Sequence, residues 1–305
     1  MKVRSGFAKS SAEPGDVDLY YEDMGDPNDP AVLLIMGLGA QMLLWRTGFC
    51  EKLVSQGLRV IRYDNRDVGL STKLSGRRVD SPLPVRMARS FLGLRSPSVY
   101  TLEDVADDAA ALLDHLAIDN AHIVGGSMGG MIAQTIAGLA PQRTRTLVSI
   151  FSTSGRPGLP LGKPEALAML TAQPPGPARE QLIAHGMKVR AAIGSPGYPA
   201  SEDALRELVA VNIDRRWYPE GAARQYLAII ASGNRVELLK TVKAPTLVLH
   251  GEEDPLLPVE CGRDVASLVQ GAEIETYPGW GHDMPEALVP TLVERIATFC
   301  GQAKA

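Results

Sequence analysis

Ala121-His122-Ile123-Val124-Gly125-Gly126-Ser127-Met128-Gly129-Gly130 runs directly into Met131-Ile132-Ala133-Gln134. A short apolar, β-branched run passes through G-x-S-x-G into a helix-compatible segment, the strand, sharp turn and helix that a serine nucleophile elbow needs. Such a turn forces its serine into a strained backbone conformation, and a side chain at either flanking position would meet the neighbouring strand or helix. Gly125 and Gly129 leave that space empty, so Ser127 is expected to stand exposed above a sheet. A plain Gly/Ser turn reads the same over five residues, and the surrounding chain has to decide. The glycine spacing of Gly125 to Gly130 also fits a phosphate loop, but Met131 stands where that loop needs lysine and no hydroxyl residue follows it.

Outward from the elbow, strands and helices alternate. Ahead of it, Val17 to Tyr21 reads as an early strand or hairpin, Ala31 to Met36 as a buried strand ending in Gly37-Leu38-Gly39, and Leu58 to Asp64 as another strand. Thr101 opens a helix whose apolar residues Leu102, Val105, Ala109, Leu112, Leu113 and Leu116 keep helical spacing, and Thr101 with Asp104 makes a capping pair. After it come a helix from about Gly130 to Leu139 and a strand over Thr146 to Phe151. Alternation at this spacing means βαβ units and a mostly parallel central sheet flanked by helices, because parallel neighbours need crossover connections.

The pattern breaks after Thr153. From Gly155 to about Arg235 the chain is rich in Pro and Gly between helix-like pieces such as Arg179 to Ile193 and Ser201 to Asn212, which reads as a helical insertion. Residues 1–154 and 236–305 then form one core domain, and 155–235 the inserted one. Alternation resumes with a strand at Ala244 to His250, a helix over Val259 to Val269, a strand at Glu273 to Tyr277 and a helix over Pro285 to Cys300. Gly76 to Ser98 places Arg77, Arg78, Arg86, Arg89 and Arg95 among Val85, Met87, Phe91, Leu92 and Leu94. That segment reads as a solvated loop with a short helix, or as a flap at the mouth of a site touching acyl chains or an anionic surface.

Composition bounds the function classes. The 305 residues can bury a full core, 45% apolar and 22% charged content is ordinary for a folded globular protein, and a net charge of −4 gives no basic excess for nucleic acid. The N-terminal residues carry no apolar leader core, and the longest apolar runs are strand length, so no stable membrane insertion is expected. Cys50, Cys261 and Cys300 are odd in number and widely spaced, which argues for core packing, a reducing compartment and a cytoplasmic location. No Cys/His cluster suggests a metal.

A serine hydroxyl needs a base to take its proton, and that base needs a third group to fix its tautomer and steady its charge. In a parallel sheet these groups belong at the carboxyl ends of strands. Asp254 follows the strand ending at His250, and His282 follows the strand ending at Tyr277, so Ser127, Asp254 and His282 are the expected catalytic residues. His250 is a rival for the base, and Glu252 and Glu253 are rivals for the acid. Backbone donors for a developing oxyanion are expected at Met128, directly after the serine, and at Leu38 in the turn after the early strand.

With these residues in place, the chain resembles the α/β-hydrolase superfamily over nearly its whole length. Gly125-Gly126-Ser127-Met128-Gly129, Gly251-Glu252-Glu253-Asp254-Pro255 and Gly279-Trp280-Gly281-His282 resemble its three catalytic motifs, and Arg62 to Ser71 its loop after the fourth strand. Met36-Gly37-Leu38-Gly39-Ala40-Gln41 is similar to a branch of esterases and lipases that includes the aclacinomycin methylesterases, although many members carry His where Met36 stands. The resemblance implies that 155–235 is a cap over the site, that Trp45, Met128, Trp217, Tyr218 and Tyr226 are pocket residues, and that Asp64 and Arg66 brace their loop.

The expectation is a serine hydrolase that cleaves carboxylic esters through an acyl-enzyme, acting on small to medium apolar acyl esters with no metal or organic cofactor. Lactonase, thioesterase, carbon–carbon bond hydrolase and perhydrolase chemistry use the same triad. A ligand-binding receptor of this fold without turnover is the alternative of a different class.

Overall fold

Eight strands make one sheet: β1 (Val3–Ser10), β2 (Val17–Met24), β3 (Ala31–Ile35), β4 (Arg59–Tyr63), β5 (Ala121–Gly126), β6 (Thr144–Ile150), β7 (Thr246–Gly251) and β8 (Glu273–Tyr277). Their spatial order is β1-β2-β4-β3-β5-β6-β7-β8. β2 runs antiparallel to both neighbours, and every later pairing is parallel. This is the α/β-hydrolase fold expected from the sequence. The computed structural model describes residues 2–303 except Asp80, Leu92, Gly93, Arg95 and Thr171, with backbone alone at Leu83, Met87, Ser90 and Phe91.

Each parallel step is bridged by at least one helix, as the geometry of a crossover demands. The helices are α1 (Thr47–Val54), α2 (Leu83–Phe91), α3 (Leu102–His115), α4 (Met128–Leu139), α5 (Pro164–Met169), α6 (Arg179–Ile193), α7 (Glu202–Arg216), α8 (Pro219–Ser232), α9 (Val236–Thr241), α10 (Val259–Leu268) and α11 (Val289–Gln302). Successive strand residues point to opposite faces, so Leu33 and Ile35 enter the core shared with α3 and α4, while Val32 and Leu34 enter the core shared with α1 and α11. Burial on both faces is why the central strands read as unbroken apolar runs.

The expected cap of α3 is present: the Asp104 amide donates to Thr101 Oγ1 at 3.3 Å, and the Thr101 amide donates to Asp104 Oδ2 at 2.7 Å. β1 was not expected. It is an edge strand whose Phe7 is half exposed while Ala8 and Ser10 are buried, and its mixed polarity carries little apolar signal.

α5 to α8 all lie in the connection between β6 and β7. The two ends of this excursion meet, because the Arg235 amide donates to the Ser154 carbonyl at 2.7 Å. Arg235 also sends Nη2 to the Thr153 carbonyl at 3.0 Å and Nε to Gln134 Oε1 on α4 at 3.1 Å.

In the basic segment, Arg86 is turned inward rather than toward solvent, with Nε on the Ser81 carbonyl at 3.0 Å and Nη2 on the Val79 carbonyl at 2.6 Å. No described residue of 76–98 borders the large cavity described below; Leu92 and Arg95, and the side chains of Met87 and Phe91, lie outside the described residues. Among the described residues no helix is long and apolar enough to cross a membrane.

Candidate active site

β5 ends at Gly126 and α4 begins at Met128, leaving Ser127 alone in the turn with φ 57° and ψ −122°. A positive φ is costly for a residue with a side chain and persists only where the surroundings impose it. Here the imposition is steric. A Cβ at position 125 would stand 2.1 Å from the Gly129 carbonyl oxygen, and one at position 129 would stand 2.1 Å from the Ile35 carbonyl oxygen. Both distances lie far inside van der Waals contact, which explains G-x-S-x-G in this chain.

The three residues picked from the sequence converge. Ser127 Oγ lies 2.9 Å from His282 Nε2, and His282 Nδ1 lies 2.7 Å from Asp254 Oδ2. Asp254 Oδ1 accepts the amides of Leu256 and Leu257 at 2.8 and 2.9 Å, which fixes the carboxylate plane. Burial alone would push this carboxyl up, but His282 and His250 beside it bring it well below the usual carboxylate range. The ring of His282 packs against Phe151 at 4.7 Å between centroids, and its amide donates to the Ile193 carbonyl at the end of α6.

The rivals have other partners. His250 Nε2 meets the Leu257 carbonyl at 2.8 Å and lies 3.5 Å from Asp254 Oδ2. Glu252 accepts the Thr276 hydroxyl at 2.8 Å, and Glu253 accepts the Gly279 amide.

Gly37 presses on Ser127, since a Cβ there would stand 2.9 Å from Ser127 Cβ. Ala40 N donates to the Gly37 carbonyl at 3.2 Å and Gly39 has φ +62°, so Gly37 to Ala40 form a tight turn whose third residue is left-handed. Gly39 N donates to Gln225 Oε1 at 2.8 Å. The amides of Leu38 and Met128 donate to no other described residue, which leaves two N–H groups uncommitted on the two segments flanking Ser127 Oγ. Met36, in the position where many members carry His, offers only its carbonyl, which accepts Asn65 Nδ2 at 2.9 Å.

A cavity of about 1330 Å³ opens over Ser127 and His282, walled mainly by apolar side chains of the α5–α8 connection. Met128, Trp217, Tyr218 and Tyr226, four of the expected pocket residues, line it together with Leu38. Trp45 does not, and this corrects the expectation. It is fully buried among Val32, Leu34, Phe49 and Leu292 in the core on the α1 side of the sheet, its ring 5.1 Å from that of Phe49. Trp45 is close in sequence to the turn after β3 but precedes α1 and follows that helix into the core.

Asp64 and Arg66 are structural braces. Asp64 accepts Met42 N, Leu70 N and Arg215 Nη1, while the buried Arg66 pairs with Asp108 at 2.6 and 2.8 Å. Sequence reasoning missed Phe151, Gln225 and Arg215. Each acts through a partner distant in the chain, and no local spacing announces it.

A model of the α/β-hydrolase fold family matches residues 30–286. The chain belongs to that family. It is 29% identical over 310 aligned positions to rhodomycin D methylesterase DnrP from Streptomyces peucetius, covering 95% of this chain and 96% of that one. It is 25% identical to the bifunctional esterase/perhydrolase DCH from Acinetobacter calcoaceticus, covering 93% and 96%. Among solved structures, an esterase from Exiguobacterium antarcticum superposes with a TM-score of 0.74 at 20% identity over 98% of this chain and all of that one, which shows the fold. The relatives of this α/β-hydrolase carry esterase names alongside other hydrolase and peroxidase names.

Proposed function

We propose that this α/β-hydrolase is a serine carboxylesterase working through an acyl-enzyme. The observation that carries the reading is the continuous hydrogen-bonded path Ser127 Oγ–His282 Nε2 and His282 Nδ1–Asp254 Oδ2, at 2.9 and 2.7 Å. In it the Ser127 oxygen attacks the ester carbonyl while its proton passes to His282 Nε2. The carbonyl oxygen takes the negative charge, and the uncommitted amides of Leu38 and Met128 are the donors that receive it. His282 gives the proton to the departing alcohol, leaving an acyl ester on Ser127. Water then attacks that ester with His282 again as base, releasing the acid and restoring the serine. Asp254, kept ionised, holds Nδ1 protonated and steadies the imidazolium.

Residues 155–235 are, in this reading, a cap that supplies the cavity walls. That cavity exceeds the few hundred to about 1,000 Å³ usual for small-molecule sites. It therefore favours bulky apolar esters over the small to medium acyl groups expected from the sequence, and a methylesterase among the relatives points to methyl esters of large acids as the first to try.

The test is a panel of methyl and p-nitrophenyl esters, lactones and thioesters, with fluorophosphonate labelling. Ser127→Ala should lower kcat by roughly six orders of magnitude, as expected when the triad acts as a unit, and abolish labelling. Turnover by Ser127→Ala within tenfold of the parent would overturn the proposal.

A further inference from the structure

Gln225 sits on α8 with its side chain buried, far in sequence from the turn it touches. Its Oε1 accepts the Gly39 amide at 2.8 Å and its Nε2 donates to the Arg66 carbonyl at 2.9 Å. Both ends of the amide are therefore fixed, and with them the peptide unit joining Leu38 to Gly39. The preceding unit is fixed as well, because its Gly37 carbonyl accepts Ala40 N at 3.2 Å. A trans peptide is planar with N–H opposed to C=O, so holding the Gly37 carbonyl aims the Leu38 N–H in the opposite sense. Gln225 holds the next peptide, whose N–H is that of Gly39, and through the Arg66 carbonyl ties the whole turn to the loop after β4.

A second grip comes from α7. Arg215 Nη1 lies 2.7 Å from both Gln41 Oε1 and Asp64 Oδ2, Gln41 Nε2 donates to the Asn212 and Arg216 carbonyls, and Asp64 Oδ1 accepts Met42 N at 2.9 Å. Two helices of the insertion, α7 and α8, thus hold the segment that carries the Leu38 amide.

The geometry points to Gln225 as a positioning residue that anchors the turn carrying the Leu38 amide, so that seating α8 on the core and placing the oxyanion donor are one event. This rests on the serine-esterase reading above and adds to it a role for a residue remote from the reacting atoms.

The experiment compares an ester with its thionoester, whose developing anion on sulfur gains less from an N–H donor than one on oxygen. The variants are Gln225→Leu, which removes both hydrogen bonds, and Gln225→Glu, which keeps an acceptor for Gly39. Gln225→Leu is expected to lower kcat for the oxygen ester tenfold or more, by comparison with the hundredfold or greater cost of deleting a donor outright, with KM within about twofold. The oxygen-to-thiono ratio should fall by a similar factor, and Gln225→Glu, which keeps the acceptor for Gly39 but sets a second acceptor against the Arg66 carbonyl, should fall between Gln225→Leu and the parent. Equal losses on both esters, or an unchanged kcat, would overturn the inference while leaving the Ser127 assignment standing. Should Gln225→Leu not fold, an unchanged ratio in Gln225→Met would overturn it too. Undiminished turnover by Ser127→Ala would overturn both.

Discussion

His282 and Asp254 stand 2.7 Å apart, Nδ1 to Oδ2, and the carboxylate's other oxygen is already occupied by two backbone amides. The imidazole therefore has one orientation and one tautomer in which Nε2 faces Ser127 as an acceptor. Replacing Asp254 by Asn keeps the shape but lets the amide present N–H to Nδ1 and reverse the tautomer. Asp254→Asn should retain its fold by circular dichroism and lose about 10⁴-fold in kcat at neutral pH. Loss of less than tenfold would show that Asp254 does not orient the base.

The nucleophile turn tolerates no side chain at its flanks. Gly125→Ala drives a methyl group to 2.1 Å from the Gly129 carbonyl oxygen unless α4 shifts off β5, and both belong to the buried core. Urea unfolding should show a loss of about 3 kcal/mol or more, at the upper end of overpacking costs, together with lost activity. A variant as stable as the parent would mean the turn can relax in a way its packing denies.

Trp45 and Trp217 separate stability from binding. Trp45→Ala empties a fully buried site and should cost about 3–5 kcal/mol by thermal or urea unfolding, with KM nearly unchanged in the folded fraction. Trp217 is 41% exposed at the cavity, so Trp217→Ala should leave stability within about 0.5 kcal/mol and raise KM for bulky esters more than for small ones. The reverse pattern would exchange their roles.

Acid should act first through His122. Burial, helped by the nearby Arg145, lowers its pKa from 6.5 to about 4, and its Nδ1 lies 2.9 Å from Thr146 Oγ1 in the core. Between those values the unfolded chain binds the proton that the folded chain refuses, so stability falls as pH drops through this window, by on the order of 3 kcal/mol. Asp254 has the opposite starting point. Its depressed carboxyl contributes stability above the unfolded value of about 3.9 and loses it only at lower pH, as the folded group protonates. His122→Gln should flatten the stability curve between pH 6.5 and about 4, measured by urea midpoints; an unchanged slope would assign the acid sensitivity elsewhere.

What could be read from the chain was whatever local chemistry writes into adjacent residues. Apolar, β-branched stretches gave β3 to β7, the glycine pair gave the turn at Ser127, and Asp254 and His282 each followed closely on a strand end. β1 escaped because an edge strand with one face in water has half the apolar content of a buried one. Trp45 misled because a large apolar residue near a site looks the same in sequence whether it faces ligand or core. The grip of Gln225 and Arg215 on the turn after β3 joins residues more than 170 positions apart, and only folding creates it.

The meeting of Arg235 N with the Ser154 carbonyl means the chain leaves the sheet and comes back through a single doorway. Anything hung between those two points can change in length or helix content without altering the register of β6 against β7. If the excursion is the cap proposed above, a replacement block must again bring an acceptor to the Gly39 amide and partners to Gln41 and Asp64.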